Sequence, residues 1–516
     1  MRSTEEPGTR PGAFGSAYRV VRRGGQAARR QVIAASGGPA RTRIVLVLGS
    51  VLALSSADSS TVGAAAIELR HSLHIGNTDI GLLVAVTSLV GAVFSVPFGM
   101  LADRARRTWI LGIAIVIWGV AMIWGATAST FTQLLFDRIW LGAVTAATAP
   151  TVASLVGDWI PGSERGKIFG YILTGELAGA GVGFAVTGDI AALSWRAAFV
   201  ILALPAFLLA YLVFRLPEPA RGGQGVLAPE PGYGPAASAA AQPEPEPEKK
   251  GHEPTDAQRI AQARGIVPDP GLLELHPRPR MGLGEAIRYV LRVRTNVALI
   301  VSGALGYYFL AGVQTFGVEF VRGQYNVNQV LANFLLLVVG AVGAGLRSTA
   351  IRPLTRLAGG PLGDALLHRG RLNGRVMVAA VAATITVLLF IPALLTRSSL
   401  TALPYIVLAA ACLSAQNPPI DAARLDIMPS FLWGRAEGIR NLVRTGAQAL
   451  APVLFGAVSQ YVFGGGNSGL RWTFLVMMVP LSLSAVFLFG ASRRYPVDVA
   501  TAAAVPVPNP RTTTQA

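Results

Sequence analysis

Twelve apolar runs, each about 20 residues or longer, decide what this chain can fold into. They lie at about 44–67, 79–101, 108–128, 131–157, 166–191 and 195–215, then at about 295–319, 328–350, 373–396, 400–425, 436–461 and 471–492. In hydrocarbon a backbone must satisfy its own N–H and C=O groups, so each run reads as a bilayer-spanning helix. Composition agrees. Hydrophobic residues make up 52% and charged residues 14%, against about 25% charged in soluble domains. That is too little charge to cover a surface facing water.

The formal net charge is +17, which raises the question of nucleic acid. The arginines stand at the ends of apolar runs and in the first 43 residues, not in stripes with stacking aromatics, so nucleic acid is not expected. Their placement gives an orientation instead. Arg19, Arg22, Arg23, Arg29, Arg30, Arg41 and Arg43 precede the first run; Arg104, Arg106 and Arg107 follow the second; Arg369, Arg371 and Arg375 follow the eighth. Loops on the other side carry isolated charges such as Arg70, Arg322 and Arg397. Both termini are therefore expected inside, in a multi-pass protein of the cytoplasmic membrane. The lone Cys412 excludes an internal disulfide and lies in an apolar run.

Five regions follow: a basic tail (1–43), a six-helix bundle (44–216), a Pro/Ala-rich linker (217–284), a second bundle (285–492) and a C-terminal tail (493–516). The linker's composition cannot bury enough apolar surface to fold alone, so it reads as a flexible tether. Glu285, Arg288, Arg292 and Arg294 mark a short amphipathic helix near 284–294, expected on the inner membrane surface ahead of the seventh run.

The halves repeat one another. Gly99-Met-Leu-Ala-Asp103 after the second run returns as Gly360-Pro-Leu-Gly-Asp364 after the eighth. Pro150 and Asp158 stand eight apart, as do Pro418 and Asp426, and Arg165 and Arg435 follow in the corresponding loops. Arg196 precedes Phe199 as Arg471 precedes Phe474. Three matches in order argue for parallel six-helix repeats with a site between them near the midplane.

Gly99-Met-Leu-Ala-Asp103-Arg104-Ala-Arg106-Arg107 resembles the loop signature of the major facilitator superfamily, and Arg138-Ile-Trp-Leu-Gly142 its helix-four signature. The resemblance covers about 44–492 and implies an all-α membrane protein of twelve transmembrane helices in two pseudo-symmetric bundles. Asp58, Arg138, the Asp158-x-x-Pro161-x-x-x-Arg165 loop and Trp195-Arg196-x-x-Phe199 are similar to the spinster branch, with Ser59 where that branch usually has Arg. That branch implies a lysophospholipid or related amphipathic substrate.

Charges inside the spans are the functional candidates, because each costs several kcal/mol unless paired or wetted. Asp58 lies about 21 Å along the first helix from the inside, and Arg138 about 10 Å along the fourth from the outside. They reach similar depth, and in the resembling fold both helices line one cavity. Two readings stay open: Asp58 exchanges a proton while Arg138 holds it or a substrate anion, or the two form a permanent ion pair between helices. Glu176, near mid-membrane in the fifth run, is a second proton site or a neutral hydrogen-bonded acid. Gly175, Gly179, Gly181 and Gly183 around it permit close helix packing.

Gating is what the resemblance implies for Gly99, Asp103, Arg104, Arg107, Asp158, Arg165, Asp364 and Arg435. Asp103 would meet the N-terminal end of helix eleven near Arg435, Arg440 or Arg444, and Asp364 would meet helix five near Arg165. Ordinary loop charge is the alternative. His71 and His74 lack further metal ligands, and no phosphate-binding loop is present, so no enzyme, cofactor or metal is expected. The expectation is a monomeric, proton-coupled carrier of an amphipathic small molecule among membrane lipids. Drug or metabolite efflux is the second reading, and a non-transporting receptor or scaffold the third.

Overall fold

The computed structural model describes residues 33, 38–160, 168, 172, 175, 179–181, 183–219, 255–274, 281–335, 359–429 and 432–505. Among them every regular element is helical. The first half contains α1 (Pro39–Ala64), α2 (Ala66–Leu73), α3 (Asn77–Arg104), α4 (Arg107–Ala126), α5 (Phe131–Thr145), α6 (Thr148–Trp159), α7 (Gly188–Leu193) and α8 (Trp195–Phe214). Local chemistry sets their starts. Pro39 opens α1 in the one turn that needs no proline N–H, and the Thr130 hydroxyl accepts from the Gln133 N–H to cap α5. The second half contains α9 (Asp256–Ala263), α10 (Pro270–Leu273), α11 (Leu283–Arg292), α12 (Arg294–Tyr325), α13 (Gly359–His368), α14 (Gly374–Leu395), α15 (Ser399–Ala415), α16 (Asn417–Asp426), α17 (Trp433–Ala457) and α18 (Gly466–Ala504).

Among the described residues, 10 helical spans are long and apolar enough to cross a membrane. Of the two other expected runs, 166–191 is described in part and 328–350 only to residue 335. On α4, Ile113, Ile117, Val120 and Trp124 form an exposed apolar stripe at helical spacing. In water such a face would drive association; in a bilayer it is the lipid boundary.

The halves repeat local features as well as sequence. The fourth span breaks between α5 and α6 just before Pro150, and the tenth breaks between α15 and α16 just before Pro418. A proline removes a backbone donor, which places each break. The fifth and eleventh runs each pass through a wide five-residue turn, at Gly183–Thr187 and Val458–Val462. Within the first half, the glycines of the fifth run press on α1. A Cβ on Gly179 would stand 2.0 Å from the Ala53 carbonyl oxygen, so only glycine allows that approach.

Two stretches depart from expectation. The interval read as a tether contains α9 and α10, which dock on the second half and bury Ala257, Ala261 and Leu272. The Gln258 amide donates to the Asp426 carbonyl at 2.9 Å, and the Asp269 N–H donates to the Thr501 hydroxyl at 2.8 Å. A Thr255–Gln258 capping box and the Ala257/Ala261 stripe make this helix, signals that the average composition of the interval hides. The second departure is α18, which runs on to Ala504, past the expected boundary at 492. Tyr495 and Val499, one turn apart, are buried in the same cluster as Ala257 and Ala261.

Candidate functional site

Four helices of the first half enclose a small charged cluster. α1 supplies Asp58, α5 supplies Asp137 and Arg138, α4 lines it with Trp118, Met122 and Gly125, and α8 adds Phe199. The three ionisable groups are buried: Asp58 is 3% exposed, Asp137 0% and Arg138 1%. Arg138 spends its donors on both carboxylates. Nη1 donates to Asp58 Oδ1 at 3.2 Å, while Nε and Nη2 donate to Asp137 Oδ2 at 3.1 and 2.8 Å. Its guanidinium carbon lies 4.8 Å from the centre of the Phe199 ring. The second Asp58 oxygen accepts from Trp118 Nε1 at 3.4 Å.

The sequence reading named Asp58 and Arg138 and missed Asp137. Its signal was there: a carboxylate inside an apolar run, beside the arginine already chosen. Room for it comes from Gly125, where a Cβ would stand 2.5 Å from Asp137 Oδ2. Asp137 Oδ1 is buried without a hydrogen-bond partner among the described residues. Chemically, the cluster holds two carboxylates and one cation, so a single proton makes it neutral.

The end that carries the loop arginines holds a second kind of cluster, once in each half. Arg107 pairs with Asp158, donates to the Ser154 hydroxyl at 3.0 Å and to Glu218 at 3.0 Å. Glu218 also accepts from the Thr108 N–H (2.9 Å) and hydroxyl (2.7 Å). Burial opposes ionisation of Glu218, but these bonds from Thr108 and Arg107 outweigh it and hold its carboxyl below the usual carboxylate range. In the second half Arg375 pairs with Asp364 at 2.7 Å and with Asp426, which also accepts from the Tyr495 hydroxyl. Asp158 and Asp426, matched in the sequence repeat, thus each bind an arginine that follows the repeated Gly-x-Leu-x-Asp signature.

Of the other candidates, α3 runs through Gly99 and Asp103 to Arg104, whose side chains lie outside the described ones, as do Arg165 and Glu176 altogether. Asp364, expected near Arg165, has Arg375 as its ion-pair partner. Arg435 donates to the Met281 carbonyl at 2.9 Å, Arg440 pairs with Glu437, and Arg444 stacks on Tyr307 at 4.8 Å.

The opposite, far end joins the two halves, and there Arg70 and Arg322, sparse charges in the sequence, are paired. Arg70 of α2 pairs with Glu319 of α12 at 2.5 Å, and Arg322 of α12 pairs with Glu68 of α2 at 3.0 Å. The crossed pairs are joined by Asn77 to Ser459 (3.2 Å), Thr78 to Gln460 (3.0 Å) and Asn333 to Asp189 (2.7 Å). Beneath them glycines let the backbones touch. A Cβ on Gly81 of α3 would stand 2.2 Å from the Pro452 oxygen of α17, and one on Gly63 of α1 2.5 Å from the Gln314 oxygen of α12. Charges far apart in sequence met only because folding brought the halves together.

Residues 48–395 match the model of the Major Facilitator Superfamily. The chain is 27% identical over 183 residues to the probable L-galactonate transporter of Escherichia coli (strain K12), covering 34% of this chain and 40% of that protein. It is 25% identical over 180 residues to Protein spinster of Drosophila melanogaster, covering 34% and 30%. The matches therefore span less than half the length of these curated relatives. Among solved structures, a bacterial homolog to the human lysosomal transporter Spinster, inward-facing and unoccupied, superposes with a TM-score of 0.66 at 20% identity, covering 89% of this chain and 98% of that one. At that identity the likeness bears on fold: twelve membrane helices in two bundles. With a family model matched over residues 48–395, nearly all of the first bundle and about half of the second, and a fold shared over 89% of the chain, the chain belongs to the Major Facilitator Superfamily.

Proposed function

We propose that this protein is a secondary active transporter that works by alternating access and couples its substrate to protons. The observation that carries the reading is Arg138 held between Asp58 and Asp137. With both carboxylates ionised, the cluster buries one excess negative charge, which is costly away from water. A proton relieves it, and so does opening to water. A group that fits one state protonated and another deprotonated ties proton binding to the conformational equilibrium. The far-end bonds between halves support a state closed on that side, with Asp58 beneath the closure.

The substrate is small and amphipathic. A lysophospholipid follows from the resemblance to the spinster branch; the match to a probable L-galactonate transporter favours a small organic acid as the second reading. The protein acts as a monomer in the cytoplasmic membrane with both termini inside, as the arginine distribution supports. Gly99, Asp103, Arg104, Arg107, Asp158, Arg165, Asp364 and Arg435 form its inner gate, and Glu176, beside Gly175, is a second proton site. Asp103→Asn then slows alternation and leaves equilibrium substrate binding unchanged; equal transport by this variant would remove the gating role.

The deciding experiment is transport in proteoliposomes with and without an imposed pH gradient, screening lysolipids beside sugar acids. Accumulation that follows the gradient and is lost in Asp58→Asn and Asp137→Asn supports the reading. Accumulation indifferent to both changes overturns it.

A further inference from the structure

Among the described residues, the second half holds an arginine inside a span with no carboxylate paired to it. Along α17, Glu437, Asn441, Arg444 and Gln448 follow at spacings of 4, 3 and 4, one polar face of a membrane helix whose other face exposes Leu442, Leu450 and Leu454. Toward the arginine-rich end of this stripe the charges cancel: Arg424 and Arg440 are bound by Asp421 and Glu437. A cavity of about 290 Å³ lies against Arg424 and Glu437 there. Arg444, one turn further in, stands apart. Among the described residues it has no carboxylate in ion-pair reach, and its buried Nε donates to nothing. It lies about 16 Å along α17 from Trp433 at 1.5 Å per residue, deep in a core about 30 Å thick.

Two neighbours share its condition. Asn441 Oδ1 is buried without a partner. Gln416, 3% exposed at the break between α15 and α16, has an unpartnered Oε1. α12 brings these groups to one place: the Arg444 guanidinium stacks on Tyr307, while a methyl on the adjacent Gly306 would stand 3.0 Å from Gln416 Nε2. Adjacent positions of α12 thus meet, among the described residues, a cation with one orphan donor and a glutamine with an orphan acceptor, and Asn441, one turn before Arg444, adds a second. Unmade hydrogen bonds at buried polar groups are costly and mark where a partner belongs.

We propose that Arg444, Gln416 and Asn441 form a subsite for an oxyanion that bears a hydroxyl group. The guanidinium takes the carboxylate or phosphate, and each amide oxygen can accept from one hydroxyl. The inference rests on the transporter reading and narrows its substrate class. The Asp58–Asp137–Arg138 cluster, with one carboxylate too many, takes the proton; Arg444, with no carboxylate partner among the described residues, takes the anion. The same chemistry occurs in a free sugar acid and in a lysophospholipid headgroup with a free hydroxyl.

The test is equilibrium binding to the full-length protein in neutral detergent, with no gradient, using four probes. Gluconate has the oxyanion and hydroxyls, lysophosphatidylglycerol has both on a lipid, sorbitol lacks the oxyanion, and butyrate lacks the hydroxyl. Gluconate or lysophosphatidylglycerol should bind, and which of them does names the source; sorbitol and butyrate should bind roughly tenfold more weakly or not at all. Arg444→Gln should lose roughly tenfold or more of that affinity, and Gln416→Leu should lower gluconate toward the butyrate level. The unliganded melting temperature checks that each variant is folded, and either variant alone suffices. Binding is read with no gradient and proton coupling only in gradient-driven accumulation by wild type, so a failure of proton coupling stays separate from a failure of this subsite. Failure of both anions to bind the wild type, or unchanged affinity in a folded variant, overturns the proposal.

Discussion

Asp137 clamps Arg138, its neighbour in sequence, through a single oxygen, Oδ2, which accepts from both Nε and Nη2. Nη1 is left for Asp58, 80 positions away. One guanidinium thus holds two carboxylates, and the cluster has a neutral form only with a proton on it. Asp58→Asn and Asp137→Asn should each abolish gradient-driven accumulation, while exchange of substrate for substrate persists. Arg138→Ala differs in kind: it leaves two buried carboxylates without a cation and should cost about 3–5 kcal/mol of stability. Melting temperatures measured beside the two transport modes separate the cases. Parallel loss of stability and of every activity in all three variants would make the cluster a structural pair.

Glycines that touch within a half and between halves should fail differently. Gly179→Ala puts a Cβ 2.0 Å from Ala53 O inside the first bundle, so it should destabilise the fold by about 1–3 kcal/mol. Gly81→Ala puts one 2.2 Å from Pro452 O across the halves. Separating the halves relieves that clash, so the conformational equilibrium should move toward the state open at the far end. Labelling of a cysteine placed near Thr78 should rise several-fold at unchanged melting temperature.

The crossed far-end pairs should be coupled. Arg70→Ala and Glu319→Ala each remove one member of a 2.5 Å pair in which Glu319 is 3% exposed. A double-mutant cycle should return an interaction of about 1 kcal/mol or more in favour of far-end closure, above the range of fully exposed pairs. The charge swap Arg70→Glu with Glu319→Arg should recover part of it.

The two aspartates on Arg375 should be unequal. Asp426 is buried beneath Arg375 and Tyr495, whereas the Asp364 side chain is 48% exposed. Asp426→Asn should cost about 1–3 kcal/mol, because it removes the buried acceptor of both Arg375 and Tyr495 while Asp364 still pairs the arginine. Asp364→Asn should cost under about 1 kcal/mol of stability. Thermal unfolding of the two variants checks the ratio.

Glu218 gives a pH signature. Its native carboxyl is held below the ordinary carboxylate range by Thr108 and Arg107, so its stabilisation is present above the unfolded value of about 4.3 and is lost as pH falls through the native value. Glu218→Gln should melt below wild type by a constant interval from pH 6 to 8. The interval should close as the pH drops under about 4.

The fold was legible in the sequence because hydrocarbon leaves a backbone one local solution, and apolar runs of the right length announce it. The repeat was legible for a similar reason. Pro150 and Pro418, each in the first turn after a helix break, mark corresponding positions, and Asp58 and Arg138 declared themselves as charges in apolar runs. The π-type turns, α9 within a proline-rich interval and the extension of α18 were harder to read, being short signals inside segments of contrary average composition. What only the tertiary structure decided is pairing across helices. Nothing local ties Glu319 to Arg70, Glu68 to Arg322, or Gln416 to Arg444 through neighbouring residues of α12. Asp137 needed the missing side chain of Gly125 on another helix. Coulomb attraction and hydrogen bonding act over a few ångströms of space, and sequence fixes such distances only within one helix; between helices, packing sets them.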